Sequence, residues 1–361
     1  MALSKLNNDS FDDTAVHGRR NLIINGAMQV AQRGDVTGKT SSSYGGPDRF
    51  RLGLSGAGTH SISQSSTVPS GSGFSNSWKL DCTTADTTPT LMAAQYRFEG
   101  QDLQQLKKGT SSAESVTVSF WVRSNVTGTY VLEWRDRDNT RHIAKTYTIS
   151  AADTFEYKTL TFAGDTSGTI DNNNGHSMEL SWWLAASSTY TSGTLPSSWA
   201  AETDANRAAG LNVNIAGDTA NEWLITGVQL EVGDKATPFE HRSFGEELAL
   251  CQRYTWKLGG FGSDQYFGAP WLYFDGNNVH NGPFFNPIQM RAQPSMTQVG
   301  SPIFKSNGTA QSGFTFSLQS SGKEQCFSIQ GVKSGHGLSN VPTNCLNSPS
   351  TSDYFIMDAE L

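Results

Sequence analysis

The chain has 361 residues, 36% hydrophobic and 11% aromatic but only 16% charged, with a formal net charge of −7. Nine Trp and 19 Phe supply too much apolar area for a disordered chain, and the length suits two domains, each with its own core. Its clustered cations stop at Arg19-Arg20 and Lys107-Lys108, which argues against a nucleic-acid partner.

No run approaches the ~18 apolar residues of a membrane span, so no membrane insertion is expected. The first 21 residues lack the basic-then-apolar layout of a signal peptide, so the protein is expected to accumulate in the cytoplasm where it is made. Gly contributes 36 residues, and Ser, Thr and Asn are abundant. That mixture suits many short strands joined by turns, with a polar surface.

Residues 1–20 are polar and without apolar period, and read as an arm that orders on a partner. Asn21 to Gly26 is a short apolar run closed by an Asn-Gly turn signal. Period-2 alternation then governs the chain to about residue 240. In Ser115–Ser124, Val116, Val118, Phe120 and Val122 point one way, and Thr117, Ser119, Trp121 and Arg123 the other. A turn at Asn125–Gly128 leads into Thr129–Asp136, and the two segments are expected to pair as a hairpin. In Phe155–Phe162, Leu160 and Phe162 oppose Tyr157, Thr159 and Thr161. Met178, Leu180, Trp182 and Leu184 are expected inward, with Glu179, Ser181 and Trp183 outward. In Trp223–Val232, Leu224, Val228, Leu230 and Val232 share one face, and Gln229 and Glu231 the other.

Seven or more such segments without intervening amphipathic helices predict an all-β jelly-roll sandwich over residues 21–241. Ser243 and Glu246 form a capping box. Phe244, Leu248 and Cys251, with Leu250 and Tyr254 as a second apolar edge, predict a connector helix of about three turns within 242–255. Such a short helix needs packing on two sides, as in a domain connector or near a trimer axis. Residues 256–361 read as a smaller β domain, with final strands near Gly313–Leu318 and Asp353–Ile356. No fixed-period repeat occurs, which argues against a solenoid or propeller. Cys82, Cys251, Cys326 and Cys345 have no CxxC spacing and read as small buried hydrophobes. A Cys326–Cys345 bridge stays open if the protein matures outside the cell.

Three blocks carry a family resemblance. Gly18–Met28, GRRNLIINGAM, resembles the opening of many phage fibre subunits, notably of marine and cyanobacterial phages. Gly227–Tyr254, GVQLEVGDKATPFEHRSFGEELALCQRY, is similar to the end of their jelly-roll domain and the following helix. Asn286–Pro294, NPIQMRAQP, resembles a segment of their C-terminal domain, and the closing Asp358–Leu361 fits as well. The resemblance implies a virion protein, a tail-fibre or head-fibre subunit, commonly trimeric, whose first domain resembles carbohydrate-binding modules. A homotrimer is expected, docking on other virion proteins through residues 1–20, with an outer domain that meets a host cell-surface glycan or simply projects; a purely structural capsid or neck decoration fibre and a polysaccharide depolymerase are the alternative readings. Fibre subunits often carry a long attachment domain ahead of the first block, where this chain has about 20 residues. Tail, head and neck positions all stay open.

The alternation collects Trp121, Arg123, Glu133, Arg135, Glu179, Trp183, Gln229 and Glu231 on the outward face of the first domain. Aromatic rings stack on the C–H faces of sugars, while carboxylates, amides and guanidinium groups bond the hydroxyls. The alternative is that a loop or neighbouring subunit covers Trp121 and Trp183. A second candidate is the C-terminal tip, with Tyr266, Trp271, Tyr273 and His280 among Gly and Asn; there the alternative is a domain core or trimer axis.

Catalytic residues are not expected. Glycoside hydrolysis needs two acids about 5–10 Å apart, and Glu133 with Glu231 is the best pair available, ahead of Glu231/Glu240 and Asp136/Asp138. No GxSxG, HExxH or P-loop occurs. No cofactor is expected; Asp136, Asp138 and Asp171–Asn174 could supply oxygens to a structural Ca²⁺, although turn chemistry accounts for the same residues.

Overall fold

A computed structural model describes residues 19–260, 262, 265–267, 272–306, 309–319, 324, 326–336, 338 and 345–361. The chain divides into two compact units, one running to Phe244 and including Leu361, the other Gly245–Glu360. The proposed arm lies outside the described residues except for Arg19 and Arg20.

Among the described residues the first unit contains thirteen strands: β1 (Val36–Lys39), β2 (Ser43–Tyr44), β3 (Phe50–Ser55), β4 (Thr59–Ser65), β5 (Ser77–Thr84), β6 (Leu91–Glu99), β7 (Val116–Ser124), β8 (Gly128–Asp136), β9 (Arg141–Ile149), β10 (Glu156–Phe162), β11 (His176–Ala186), β12 (Ala200–Ala201) and β13 (Glu222–Val232). A single helical turn, α1 (Ser188–Thr191), follows β11. Six strands form one antiparallel sheet in the order β1-β4-β5-β13-β7-β10, and seven form another, β12-β9-β8-β11-β6-β3-β2. Within these, β5-β13-β7-β10 faces β6-β11-β8-β9 across one shared core. Apart from the β8–β9 hairpin, each successive strand of these eight crosses from one sheet to the other, which is jelly-roll wiring. The fold is the all-β sandwich the alternation predicts.

One pairing differs from expectation. β7 pairs with β10 and β13, while β8 pairs with β9 and β11 in the other sheet. The two strands flanking Asn125–Gly128 therefore form no hairpin. Each carries a complete apolar face, Val116/Val118/Phe120/Val122 on β7 and Tyr130/Leu132/Trp134 on β8. The sandwich stacks those faces toward each other, with all seven side chains in one core. Phe120 meets Tyr147 and Trp182 edge-on at 5.3 and 5.8 Å, a geometry that adds roughly 0.5–1.5 kcal/mol per pair beyond area burial.

The first and middle resembling blocks meet. Leu22 N donates to Leu230 O and Val228 N to Gly26 O, both at 2.9 Å. The Asn21 amide donates to Val228 O (3.2 Å) and accepts from Ile23 N and Leu230 N. Arg242 donates to Ile23 O at 3.0 Å, and Glu240 accepts from Asn21 N at 2.8 Å. Two segments about 200 residues apart thus join along the part of β13 beyond its pairing with β5.

Helix α2 (Phe244–Gln252) leads into the second unit and is shorter than the three turns expected. Cys251 and Tyr254 are buried, whereas Phe244 is 57% and Leu250 38% exposed. The strands are β14 (Thr255–Gly259), β15 (Gln265–Phe267), β16 (Leu272–Asp275), β17 (Asn278–Phe285), β18 (Ser295–Val299), β19 (Ile303–Ser306), β20 (Thr309–Gln311), β21 (Thr315–Leu318), β22 (Cys326–Val332), β23 (Cys345–Ser348) and β24 (Tyr354–Asp358). Among the described residues they form three small sheets, β14-β24-β18, β15-β23-β19-β20 and β16-β17-β22-β21. Their core is rich in phenylalanine, with Phe284, Phe304, Phe314, Phe316, Phe327 and Phe355. Cys82 is buried and Cys326 half-buried with a free thiol; the Cys345 side chain lies outside the described residues.

Candidate functional site

The eight residues expected on one outward face do point away from the core, but from two different sheets. Trp121 and Arg123 on β7 share the six-stranded sheet with Gln229 and Glu231 on β13. Glu133 and Arg135 on β8 share the seven-stranded sheet with Glu179 and Trp183 on β11. Alternation reports the side of a strand, not the sheet it joins, and the missing β7–β8 hairpin separates the two sets. Glu133 and Glu231, the best acid pair in the sequence, consequently lie on opposite sheets.

On the seven-stranded sheet, the chain from α1 to Leu211 covers Trp183, which packs with Ala93, Val131, Ala144 and Ala208. Beneath it the fully buried Glu133 carboxylate accepts from Trp183 Nε1 (3.1 Å) and Arg207 Nε (3.0 Å). His142 Nδ1 lies 2.9 Å from the same carboxylate. Burial alone would raise this carboxyl, but His142 and Arg207 hold it below its usual value. This cluster seals a loop onto the sheet. Arg135 is paired with Glu202 of the same covering segment.

On the six-stranded sheet, residues 233–240 cover the lower half. Gln229 donates to Thr237 O (3.2 Å) and accepts from Glu240 N (2.8 Å). Glu231 accepts from Thr237 N (3.0 Å) and stands 3.4 Å from Arg20 Nε. Both are buried. The register of β13 against β7 slips between Thr226 and Gln229, and Gly227 at this bulge has φ +60°. The slip places Leu224 on the same side as Gln229 and Glu231, pairing with Arg123, rather than with Val228 and Leu230 in the core.

Above this bulge the sheet carries a row of rings. Trp121, half-buried, pairs across the strands with Tyr157, the ring centroids being 5.3 Å apart. Tyr157 is 46% exposed. Phe74 and Trp121 both crowd Gly227: a Cβ there would lie 2.5 Å from Phe74 and 3.2 Å from Trp121. Phe74 continues to Phe239 at 4.9 Å, and Phe239 to the exposed His241 at 4.9 Å. The row is therefore Tyr157–Trp121–Phe74–Phe239–His241, with Phe74 the buried member.

Polar groups flank it. Arg123 donates to Asp153 Oδ1 at 2.8 Å and pairs with Glu222, which also holds Lys79 at 2.7 Å. Burial opposes the Glu222 charge, yet hydrogen bonds from Lys79 and Arg123 bring its carboxyl below the usual value. Thr159, one step from Tyr157, is exposed. Such a surface offers apolar ring faces for sugar C–H groups and a charged rim for hydroxyls. Trp121 and Arg123 were legible as candidates; Phe74, Phe239 and His241 were not. The available signal was Gly227, since a lone glycine inside a strand pattern marks a bulge or close approach.

Asp136 accepts from Asn139 N of its own turn at 3.0 Å, and Asp138 accepts from the distant Asp171 N at 3.0 Å. Among the described residues no group of three or more His, Cys, Asp and Glu is arranged to hold a metal ion. In the second unit Tyr266 is exposed beneath Lys305, 5.3 Å from its ring centroid, and His280 is half-buried. Trp271 and the Tyr273 side chain lie outside the described residues.

No protein-family model matches the chain, and no curated protein matches it in sequence. Among solved structures, the enzymatically active domain of tailspike protein 4 of bacteriophage CBA120 is similar over 59% of this chain, at 12% identity and TM-score 0.31. This chain spans only 21% of that protein. A CBM4 structure is similar over 58% of this chain and 97% of its own, at 12% identity and TM-score 0.29. The CBM22-1 xylan-binding domain of Paenibacillus barcinonensis Xyn10C is similar over 62% and 100%, at 10% identity and TM-score 0.27. At TM-scores this low the likenesses carry no argument; the jelly roll rests on the strand order of this chain.

Proposed function

We propose that this protein is a glycan-binding, non-catalytic subunit of a phage virion fibre. The observation that carries the glycan reading is the aromatic row over the Gly227 bulge, with Tyr157 and Trp121 as its accessible platform. The acids weighed for hydrolysis support binding without cleavage, because Glu133 and Glu231 are occupied in holding covering segments. The fibre reading is supported by the resembling blocks at 18–28 and 227–254, which the fold brings together.

The subunit assembles as a homotrimer and docks on the virion through residues 1–20. The exposed Phe244 and Leu250 of α2 support self-association, as does Phe285, 71% exposed, since such apolar side chains favour a partner surface. Many weak contacts per particle become effective through avidity. Affinity electrophoresis of the full chain through gels of host surface polysaccharide tests the reading, with a reducing-end assay alongside. Retardation that Trp121→Ala abolishes, with no new reducing ends, is expected. Unretarded migration in every polysaccharide, or steady release of reducing ends, would overturn it.

A further inference from the structure

The outer face of the seven-stranded sheet around Glu179 is rich in arginine. Register aligns Arg97, Glu179 and Arg135 across β6, β11 and β8, and in the next row Arg51, Gln95 and Ser181 across β3, β6 and β11. Arg137 follows directly on β8. The buried Glu179 carboxylate accepts from Arg97 Nε (3.0 Å), Gln95 (3.2 Å) and Ser181 (3.0 Å). Arg135 is bound by Glu202.

Arg51 and Arg137 remain. Arg51 donates to the neutral Gln95, and neither arginine is in an ion pair among the described residues. Four guanidinium groups thus share two side-chain carboxylates, on a chain whose formal net charge is −7. His176 adds none: burial and Arg97, Arg137, Arg135 and Arg51 push its pKa down to about 3. Burial and Arg97 lower the Arg51 pKa, and burial and Arg135 lower that of Arg137. These cations crowd one another, and an anion would relieve the crowding. One oxygen acceptor is already seated at the edge: the Leu361 main-chain oxygen, which clusters with this unit, accepts from Arg97 and from the Tyr44 hydroxyl beside Arg51.

We propose that this arginine cluster binds the carboxylate of an acidic sugar, with Arg51 and Arg137 supplying the charge that no side-chain carboxylate pairs. Guanidinium forks match a carboxylate in geometry as well as in sign. The carboxylate rests on the arginine cluster alone; the sugar rests on the glycan function proposed above. The cluster lies on the opposite sheet from the aromatic row, so the two can be broken separately.

Calorimetric titration of the full chain with a galacturonate trisaccharide, with N-acetylneuraminic acid and with a neutral galactose trisaccharide tests it. At least one acidic sugar should bind ten-fold or more tighter than the neutral one, and added salt should weaken it. Arg51→Gln with Arg137→Gln should remove that preference, Arg137→Gln alone should reduce it, and Trp121→Ala should leave it. Which acid binds tells a uronate from a nonulosonate. Acidic sugars that bind no better than the neutral one, or a preference that survives the double substitution, would overturn the arginine site. Neutral sugar binding without acidic preference sinks the arginine site and leaves the aromatic row; acidic binding untouched by Trp121→Ala, with no neutral binding, does the reverse. Absence of all binding sinks both.

Discussion

The two outer faces of the sandwich begin from the same sequence signal and end differently. Each is read from residues alternating with core side chains, and each contains a tryptophan in line with charged groups. On the seven-stranded sheet Trp183 disappears beneath the segment from α1 to Leu211, and Glu133 becomes the anchor of that cover. On the six-stranded sheet Trp121 stays half-exposed because the cover, residues 233–240, lies over Gln229 and Glu231 instead. What a strand's outward side does is set by the segment that returns across it.

The largest expected effect comes from breaking the first cover. Glu133→Ala leaves Arg207 as a buried cation without its carboxylate, and should cost about 3–5 kcal/mol in urea unfolding. A loss under about 1 kcal/mol would mean that the segment is not anchored there. Gly227→Ala tests the second face: a left-handed backbone with a Cβ pressed on Phe74 should cost about 1–3 kcal/mol. It should also part the Phe74 and Trp121 rings, visible as altered near-ultraviolet dichroism; an unchanged spectrum and stability would remove the bulge from the account.

A pH series separates the faces further. His176 is neutral in the fold with a pKa of about 3, whereas unfolded histidine protonates near 6.5. As pH falls from about 6.5 towards 3 the unfolded state binds the extra proton, so stability drops by up to about 1.4 kcal/mol per pH unit. His176→Gln should flatten that slope, and an unchanged slope would contradict the crowding of arginines around it. The smallest effect is expected from Tyr157→Ala on the exposed platform, roughly 0.5–1.5 kcal/mol of stability, while glycan affinity falls ten-fold or more. Equal affinity in the two proteins would remove Tyr157 from the site.

Much of the fold was legible. Alternation identified the inward faces of β7, β10 and β11, because a two-residue period maps directly onto side-chain direction. Partnering was less accessible: a turn such as Asn125–Gly128 is compatible with a hairpin or a crossing, and packing of two complete apolar faces decides between them. The β13 faces went astray at one residue, since a bulge at Gly227 inserts a step and reverses the alternation on one side of it. For the candidate site, Trp121 was visible on its strand. Phe74 and Phe239 sit in loops without a period, and only the fold brings them to one glycine.

The central claim is that the six-stranded face, not the seven-stranded one, presents the aromatic platform for sugars. Indole N–H resonances during titration with a bound oligosaccharide test it directly, with the Trp121 and Trp183 signals assigned by Trp121→Phe and Trp183→Phe. The Trp121 signal should shift with ligand, while that of Trp183, buried against Glu133, stays in place. A shift at Trp183 with none at Trp121 would contradict the account and move the sugar to the other sheet.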